Sequence, residues 1–373
     1  MKRILCCSLL LAAGLTITSC QMNKKNADAS TTEVTAVQES NIDPATGNLF
    51  RGEASESLQT SMKNYLTALD EKNINVESIM VVQHGKVVAE HWRGEGKPDV
   101  PHGLWSVSKS FTSTAIGFAV AEGKLNVTDK VISFFPDELP AEVSDNLKKM
   151  EIRHLLTMTC GQDKEVGSVR DTTNKESWVK AFLAGPVVHE PGTYYVYNSL
   201  GTYMLSAILQ KVTGEKVIDY LKPRLFDPLH INATKWQESP QGINCGGWGL
   251  FLKTEDLAKM GLFLLQKGVW NGQQLLPQEW VETASSAVVP SVPAGVRPEE
   301  ATEKNLTKEN SDWVQGYGYQ FWRCRHNCFR ADGAFGQYII VMPEKDAVVA
   351  VTANLGDMQE ELNMIWDYIW TAL

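Results

Sequence analysis

The chain has 373 residues, of which 43% are hydrophobic and 21% charged, and its formal net charge at pH 7 is −9. These values describe a globular protein with enough apolar residues for one large domain or two smaller ones. The excess of acidic residues and the lack of a basic run argue against a nucleic-acid partner.

Residues 1–19 have the layout of an export signal. Lys2 and Arg3 precede an apolar stretch from Ile4 to Ile17, and small residues then lead to Cys20. This order resembles a bacterial lipoprotein signal, in which residues 1–19 are removed and Cys20 is lipidated. We expect an exported lipoprotein anchored to a membrane through Cys20. Gln21 favours the outer membrane, on its periplasmic or surface side, over the inner one. An ordinary secretory signal followed by a chance cysteine is the alternative.

The next elements are a tether, a helix and a hairpin. Residues 20–52 are mostly small and polar, which is typical of a flexible tether, so we place the start of the folded domain at residue 53. Leu58, Met62 and Leu69 follow helical spacing within a helix predicted over residues 55–72. Two apolar runs, residues 79–84 and 87–92, flank Gly85 and predict a β-hairpin.

Ser106 and Lys109 stand three residues apart at the start of an apolar segment with small residues, which predicts a buried helix. On a helix, side chains at this spacing share one face about 5–6 Å apart. Burial disfavours the charged form of a lysine and lowers its pKa. Lys109 could therefore take the hydroxyl proton of Ser106 and make it a nucleophile. Backbone N–H groups at the helix N-terminus could hold an oxyanion.

Two structural alternatives accompany this interpretation. The same Ser-x-x-Lys spacing occurs at Ser177 and Lys180, where the surrounding residues predict a surface helix with a solvated lysine. A serine at the start of a helix is also a common N-cap, and Ser106 could have that role instead.

The rest of the chain predicts a helical middle and a strand-rich end. Residues 126–240 are helical and loop-rich, and a helix follows over residues 254–266. Strands are expected at 318–322, 328–330, 337–342 and 347–353, with a closing helix over 358–370. Strands at both ends of the domain predict an α/β (α+β) fold: one antiparallel sheet built from both termini, with flanking helices and an inserted helical domain.

Cys324 and Cys328 flank a short predicted hairpin loop. Paired strands bring Cα atoms within about 4.5–5.5 Å, which suits a disulfide, and an exported protein meets oxidising conditions. A zinc site would need a fourth ligand that the local sequence does not offer. We therefore predict a disulfide between these cysteines and leave the states of Cys160 and Cys245 open.

Four further stretches accompany the Ser106–Lys109 motif in a specific order: residues 152–161, 191–199, 246–254 and 333–338. In this combination, over about residues 55–371, the chain resembles the serine β-lactamase and penicillin-binding protein superfamily. It is most similar to the class C branch and its esterase-like and amidase-like relatives. The resemblance implies a β-lactamase/transpeptidase-like fold and a hydrolase that forms an acyl-serine intermediate with no cofactor and no metal.

The second motif of that superfamily, Tyr-x-Asn, corresponds to Tyr197-Asn198-Ser199. The resemblance implies that Tyr197 relays protons between the serine and the leaving group, and a nearby Lys109 ammonium would favour its phenolate. Ser199 stands where the superfamily usually has asparagine, so Ser199 and its neighbour Asn198 are both candidates for binding substrate. A core aromatic is the alternative role for Tyr197.

The third motif departs from the superfamily pattern. Ala331-Asp332-Gly333 stands where a lysine or histidine usually begins the motif and holds a substrate carboxylate, so the charge-assisted contact is missing. Asp332 adds a negative charge, and Asp332 and Gly333 are expected to border the substrate. The missing cation could come from one of three nearby arginines, although alternate side chains of a strand face opposite sides. They are Arg323, Arg325 and Arg330.

The backbone role of the third motif does not depend on its side chains. The resemblance implies that the N–H groups of Ser106 and Ala334 form the oxyanion hole.

These features predict a serine hydrolase that cleaves an ester or amide bond in a small molecule or peptide. A carboxylate near Asp332 would meet a like charge, so we expect substrates without a recognised carboxylate. The alternatives are a D-alanyl peptidase or β-lactamase, and a non-catalytic penicilloyl-binding sensor or scaffold. The altered third motif favours the scaffold, whereas the intact Ser106, Lys109 and Tyr197 oppose it. The sequence does not fix the oligomeric state.

Overall fold

The structure is a computed structural model that describes residues 40–165 and 175–373. The predicted export signal, Cys20 and the first part of the predicted tether lie outside these residues. Within the described ranges, no helix has both the length and the hydrophobicity needed to cross a bilayer.

The strands are, in chain order, β1 (Val76–Gln83), β2 (Lys86–Trp92), β3 (His102–Gly103), β4 (Lys235–Trp236), β5 (Leu250–Leu252), β6 (Val269–Trp270), β7 (Gln273–Gln274), β8 (Trp322–Arg323), β9 (Phe329–Gly333), β10 (Gln337–Met342) and β11 (Ala347–Ala353).

The α-helices are α1 (Glu56–Glu71), α2 (Ser108–Ala121), α3 (Asp145–Lys149), α4 (Ile152–Leu156), α5 (Trp178–Ala184), α6 (Ser199–Thr213), α7 (Val217–Leu221), α8 (Thr254–Leu265), α9 (Gln278–Ala284), α10 (Glu300–Glu303) and α11 (Met358–Met364). A 3₁₀ turn, Trp105–Val107, leads into α2, and π-helical turns over Lys222–Phe226 and Ile365–Trp370 continue α7 and α11.

A six-stranded antiparallel sheet in the order β2-β1-β11-β10-β9-β8 forms the centre of the fold. Strand β1 pairs with β11 near the other end of the chain, where Val81 lies opposite Val349. The predicted antiparallel sheet built from both ends of the domain is therefore confirmed. Short strands form two further sheets, β3-β5-β4 and β6-β7.

Helices cover both faces of the central sheet, as β11 shows. Successive side chains of a strand point to opposite faces. Val348 and Ala350 belong to the core shared with α2 and α8, whereas Val349 and Val351 belong to the core shared with α1 and α11. This alternation places α2 and the helical middle on one side of the sheet, where the site forms.

The first predicted elements match the structure closely. Helix α1 begins after Ser55, whose hydroxyl accepts a hydrogen bond from the N–H of Leu58. The predicted hairpin is present as β1 and β2, and the turn between them contains Gly85.

The last part of the predicted tether, residues 40–52, is not free of the domain. Ile42 and Leu49 are buried. The N–H of Leu49 donates to Glu255 over 2.7 Å, and Arg51 forms an ion pair of 2.7 Å with the same carboxylate. A nearly buried carboxylate at the start of α8 requires such partners, and residues 49 and 51 supply them.

The strand predicted over residues 318–322 is shorter than expected, because only Trp322 of that range lies in β8. Gln320 adopts a left-handed backbone with φ +66°, and its N–H donates to the carbonyl of Leu156. This bond directs the chain away from the sheet. Strand β9, by contrast, extends beyond its predicted end to Gly333.

Cys324 and Cys328 are buried free thiols, so the structure differs from the predicted disulfide. The sulfur of Cys324 accepts a hydrogen bond from Arg330, and the thiol of Cys328 donates to the carbonyl of His326. The two sulfur atoms therefore have separate partners. Burial raises the pKa of the Cys324 thiol to about 11, which disfavours the reactive thiolate.

Candidate active site

Ser106 lies in the 3₁₀ turn that precedes α2, and the residues on either side of it are hydrogen-bonded to β5. The N–H of Leu104 donates to the carbonyl of Leu250 over 2.9 Å, and the N–H of Leu250 donates to the hydroxyl of Ser108 over 3.1 Å. Helix α2 has no side-chain N-cap. The N-cap alternative for Ser106 is therefore excluded.

The amine of Lys109 lies directly against Ser106, as the spacing predicts. Lys109 is 1% exposed, and its Nζ lies 2.9 Å from Ser106 Oγ, 3.1 Å from Ser199 Oγ and 2.7 Å from the carbonyl oxygen of Gly247. Three acceptors match the three hydrogens of an ammonium group. A Cβ at position 247 would lie 2.7 Å from the carbonyl oxygen of Ser199, so glycine permits this close arrangement.

Tyr197 borders the cleft next to this lysine. Its ring centroid lies 4.9 Å from Lys109 Nζ, and the ring stacks on Trp322 at 5.6 Å. Tyr195 and Tyr317 lie behind it, and burial raises the pKa of both phenols well above the usual value. Tyr197 is half-buried and lines the cleft, so the core-aromatic alternative does not describe it.

The side chains of Ser199 and Asn198 occupy different environments. Ser199 lines the cleft and contacts Lys109. Asn198 is buried: its Oδ1 accepts the N–H of Gly201 over 3.0 Å and caps α6, while its Nδ2 donates to Gln162. Asparagine is a strong N-cap residue, and this role turns the side chain inward. The expectation that Asn198 binds substrate is therefore not supported.

The turn that follows β9 brings Ala334 to the cleft beside Ser106. A Cβ on Gly333 would lie 2.4 Å from the carbonyl oxygen of Leu104, so glycine permits the two segments to touch. The amide of Gln337 donates to the carbonyl of Ala334 over 3.2 Å, which braces the turn. The backbone at 106 and the backbone at 334 are thus held side by side.

Asp332 does not border the cleft, contrary to expectation. Its carboxylate accepts a hydrogen bond of 2.8 Å from Nε of Arg330, and both side chains are buried. Gly333 is also absent from the cleft lining, and Ala331 is fully buried. Arg330 and Asp332 are two residues apart on β9, so their side chains lie on the same face of the strand. The charge of Asp332 is therefore compensated inside the protein.

The three arginines considered as replacements for the missing cation are engaged elsewhere. Arg323 donates to the carbonyl of Ser285, and Arg325 forms an ion pair of 2.8 Å with Asp312, while Arg330 is bound as just described. A different arginine, Arg297, lines the cleft. It lies in a loop without a recognisable motif, so sequence analysis could not have identified it.

The cleft around Ser106 has a volume of about 820 Å³. Its walls combine aromatic and charged side chains, several of which the motifs did not indicate. The aromatic ones are Trp105, Tyr197, Trp248 and Phe335, and the charged ones are Asp163, Lys164, Glu165 and Arg297.

Three bulky apolar residues adopt left-handed backbone conformations beside this cleft. They are Trp105 (φ +47°), Met158 (φ +60°) and Phe335 (φ +66°). Trp105 precedes Ser106, Phe335 follows Ala334, and the carbonyl of Met158 accepts the N–H of Val196, next to Tyr197. Such conformations cost on the order of 1–3 kcal/mol each and cluster at functional sites. They support the assignment of this cleft as the active site.

The second Ser-x-x-Lys pair has a structural role. The hydroxyl of Ser177 accepts the N–H of Lys180 and caps α5, and it also donates to the carboxylate of Glu138. Neither Ser177 nor Lys180 lines the cleft.

Comparison with known proteins agrees with the observed fold. The sequence model of the Beta-lactamase family matches residues 62–373. The 6-aminohexanoate-dimer hydrolase of Paenarthrobacter ureafaciens is 25% identical over 298 residues, covering 75% of this chain and 73% of that protein.

Two solved structures share the fold at lower sequence identity. A penicillin-binding protein homologue from Caulobacter crescentus has a TM-score of 0.67 and 14% identity, over 86% of this chain and 99% of that one. EstCE1, described as a hydrolase with promiscuous acyltransferase activity, has a TM-score of 0.67 and 17% identity, over 84% and 99%. At these identities the likeness concerns the fold alone.

Proposed function

This chain belongs to the beta-lactamase family and is a serine hydrolase, and from this premise we propose that it cleaves an ester or amide bond through an acyl intermediate on Ser106. The observation that carries the proposal is the contact of 2.9 Å between Lys109 Nζ and Ser106 Oγ at the floor of the cleft.

Lys109 is placed to act as the general base. In the neutral amine, two N–H bonds go to Ser199 Oγ and the carbonyl of Gly247, and the lone pair accepts the hydroxyl hydrogen of Ser106. Burial stabilises the neutral form relative to the ammonium. Ser106 Oγ then attacks the substrate carbonyl carbon while its proton passes to Lys109.

The oxyanion that forms in this step lies toward the backbone N–H groups of Ser106 and Ala334, which the close contact at Gly333 holds together. Tyr197 delivers a proton to the leaving group, and its position beside Lys109 allows the proton to be replenished. Water then attacks the acyl-serine and releases the acid.

The substrate class follows from the missing cation of the third motif. Position 331 is a buried alanine, and Arg330 is paired with Asp332 within the protein. We infer that the enzyme acts on small-molecule or peptide substrates without a carboxylate at that position. The relative from Paenarthrobacter ureafaciens is named 6-aminohexanoate-dimer hydrolase. An amide joins the two units of such a dimer, so this name favours including amides.

A substrate panel tests this proposal. It comprises p-nitrophenyl esters, D-amino-acid amides and a chromogenic cephalosporin, each assayed with the wild type and with Ser106→Ala. We expect ester or amide hydrolysis that is lost in Ser106→Ala, with slow turnover of the cephalosporin. Activity retained by Ser106→Ala, or no hydrolysis of any compound, would contradict it.

We also propose that the protein is an exported lipoprotein anchored through Cys20, since residues 1–20 resemble a lipoprotein signal. Expression with an alkyne-bearing fatty acid should label the wild type and leave Cys20→Ala unlabelled. Equal labelling of both would exclude lipidation at this residue.

A further inference from the structure

Trp105 and Phe335 form an aromatic pair at the mouth of the catalytic cleft. Their rings meet edge to face with centroids 5.1 Å apart, yet the residues are 48% and 43% exposed. Trp105 immediately precedes Ser106, and Phe335 immediately follows Ala334. The pair therefore flanks both the proposed nucleophile and the proposed oxyanion hole.

The backbone of both residues is held in the left-handed region, at φ +47° and φ +66°. For residues of this size the conformation is unfavourable. Met158 has the same backbone conformation, but its side chain is buried, so packing offsets the strain. Trp105 and Phe335 expose large apolar surfaces, so packing within the domain does not account for either their position or their strain.

Hydrogen bonds within the domain anchor the backbone of both residues. The carbonyl of Phe335 accepts the N–H of Leu355, and the carbonyl of Trp105 accepts the hydroxyl of Ser108. Further apolar side chains, Val196 and Val296, line the same cleft. The backbone is thus anchored from within the domain, while the two rings face the space that a substrate must occupy.

We propose that Trp105 and Phe335 form an apolar platform that binds a hydrocarbon or aryl group of the substrate, next to the carbonyl that Ser106 attacks. This inference rests on the proposed function and adds a substrate class to it: esters or amides with an extended apolar group. Aromatic side chains bury large areas against such groups, and each methylene removed from water contributes to binding.

Two ester series test the platform. One varies the acyl chain from acetate to octanoate on p-nitrophenol, and the other varies the alcohol with the acetyl group constant. In the wild type we expect kcat/KM to rise with chain length in at least one series. The series that shows the rise identifies the side of the scissile bond that lies on the platform.

Glycine variants separate binding from folding. Trp105→Gly and Phe335→Gly remove the rings, and glycine adopts positive φ without strain, so both should fold with melting temperatures near that of the wild type. We expect the octanoate-to-acetate ratio of kcat/KM to fall at least about tenfold in each. Phe50→Ala removes a 38% exposed aromatic residue outside the cleft and should leave the ratio unchanged.

The outcomes distinguish this inference from the function on which it rests. Wild-type hydrolysis that is independent of chain length in both series would overturn the platform and leave the Ser106 mechanism standing. An equal loss on all esters in the glycine variants would also overturn it, because the pair would then only support the oxyanion turn. Hydrolysis that persists in Ser106→Ala would instead contradict the proposed function.

Discussion

Arg330 and Asp332, two residues apart on the third-motif strand β9, form an ion pair with 2.8 Å between Nε and Oδ2, and neither side chain lines the cleft. The pairing changes the electrostatic argument that the sequence suggests. Asp332 presents no free charge to a substrate, and Arg330 supplies no cation. The preference for an uncharged substrate therefore depends only on the absence of a cation at position 331.

We expect Asp332→Asn to destabilise the protein without changing substrate preference. Removing one partner of a buried ion pair costs about 3–5 kcal/mol, because the other charge is left unpaired. The preference is measured as the ratio of kcat/KM for a free-acid substrate to that for its methyl amide, and we expect the amide to be preferred in both proteins.

Arg297→Gln is the matched variant for Asp332→Asn, because Arg297 lines the cleft and could contact a substrate carboxylate. If the wild type prefers the free acid, and Arg297→Gln abolishes that preference, then Arg297 binds the carboxylate and the inference of an uncharged substrate is wrong.

Acylation should occur at Ser106. Its hydroxyl lies 2.9 Å from the buried amine of Lys109, whereas the hydroxyl of Ser177 is used to cap α5. A fluorophosphonate probe followed by peptide mass spectrometry should place the adduct on Ser106 in the wild type and in Ser177→Ala. Equal labelling of Ser106→Ala would show that another residue reacts.

Lys109→Ala and Tyr197→Phe should each lower kcat by at least about 100-fold, the lower range for general acid–base groups. The lysine amine lies 4.9 Å from the tyrosine ring centroid, so we expect the two groups to act on one proton path. The double variant should lose much less than the product of the single losses. Fully multiplicative losses in steady-state kinetics would mean that the two residues act independently.

Acid should destabilise the fold through Asp312. Burial by itself raises the pKa of this carboxyl, but hydrogen bonds from Arg325 and the charge of Arg330 outweigh burial and lower the pKa to about 2. A carboxyl with a lowered folded-state pKa stabilises the protein above its unfolded value near 4. We expect about 2 kcal/mol of this stabilisation to be lost as the pH falls from about 4 to about 2.

Urea unfolding at pH 5 and pH 2 measures this loss. Asp312→Asn should be less stable at pH 5 and should show a smaller decrease toward pH 2. Glu122→Gln is the comparison: hydrogen bonds from Arg224 lower the pKa of the Glu122 carboxyl to about 2 as well, but this side chain is 33% exposed. Solvent weakens the pairing, so Glu122→Gln should reduce the decrease toward pH 2 less than Asp312→Asn does. A decrease in Asp312→Asn as large as in the wild type would exclude Asp312 as its source.

Much of the fold follows from local patterns. Short, largely apolar runs at residues 337–342 and 347–353 predict two strands, and β10 and β11 have these bounds. The proximity of Lys109 to Ser106 is also largely local, since a spacing of three residues along a helical turn places two side chains on one face. For this reason the central contact of the candidate site could be predicted from the sequence.

Other features depend on segments far apart in the chain. The sequence does not show that Asn198 turns inward to cap α6, that Asp332 pairs with Arg330, or that Arg297 reaches the cleft. A motif states which residue types are present, but the direction of a side chain depends on which partner packs against it. Such partners are chosen by competition among long-range contacts, so only the tertiary structure decides them.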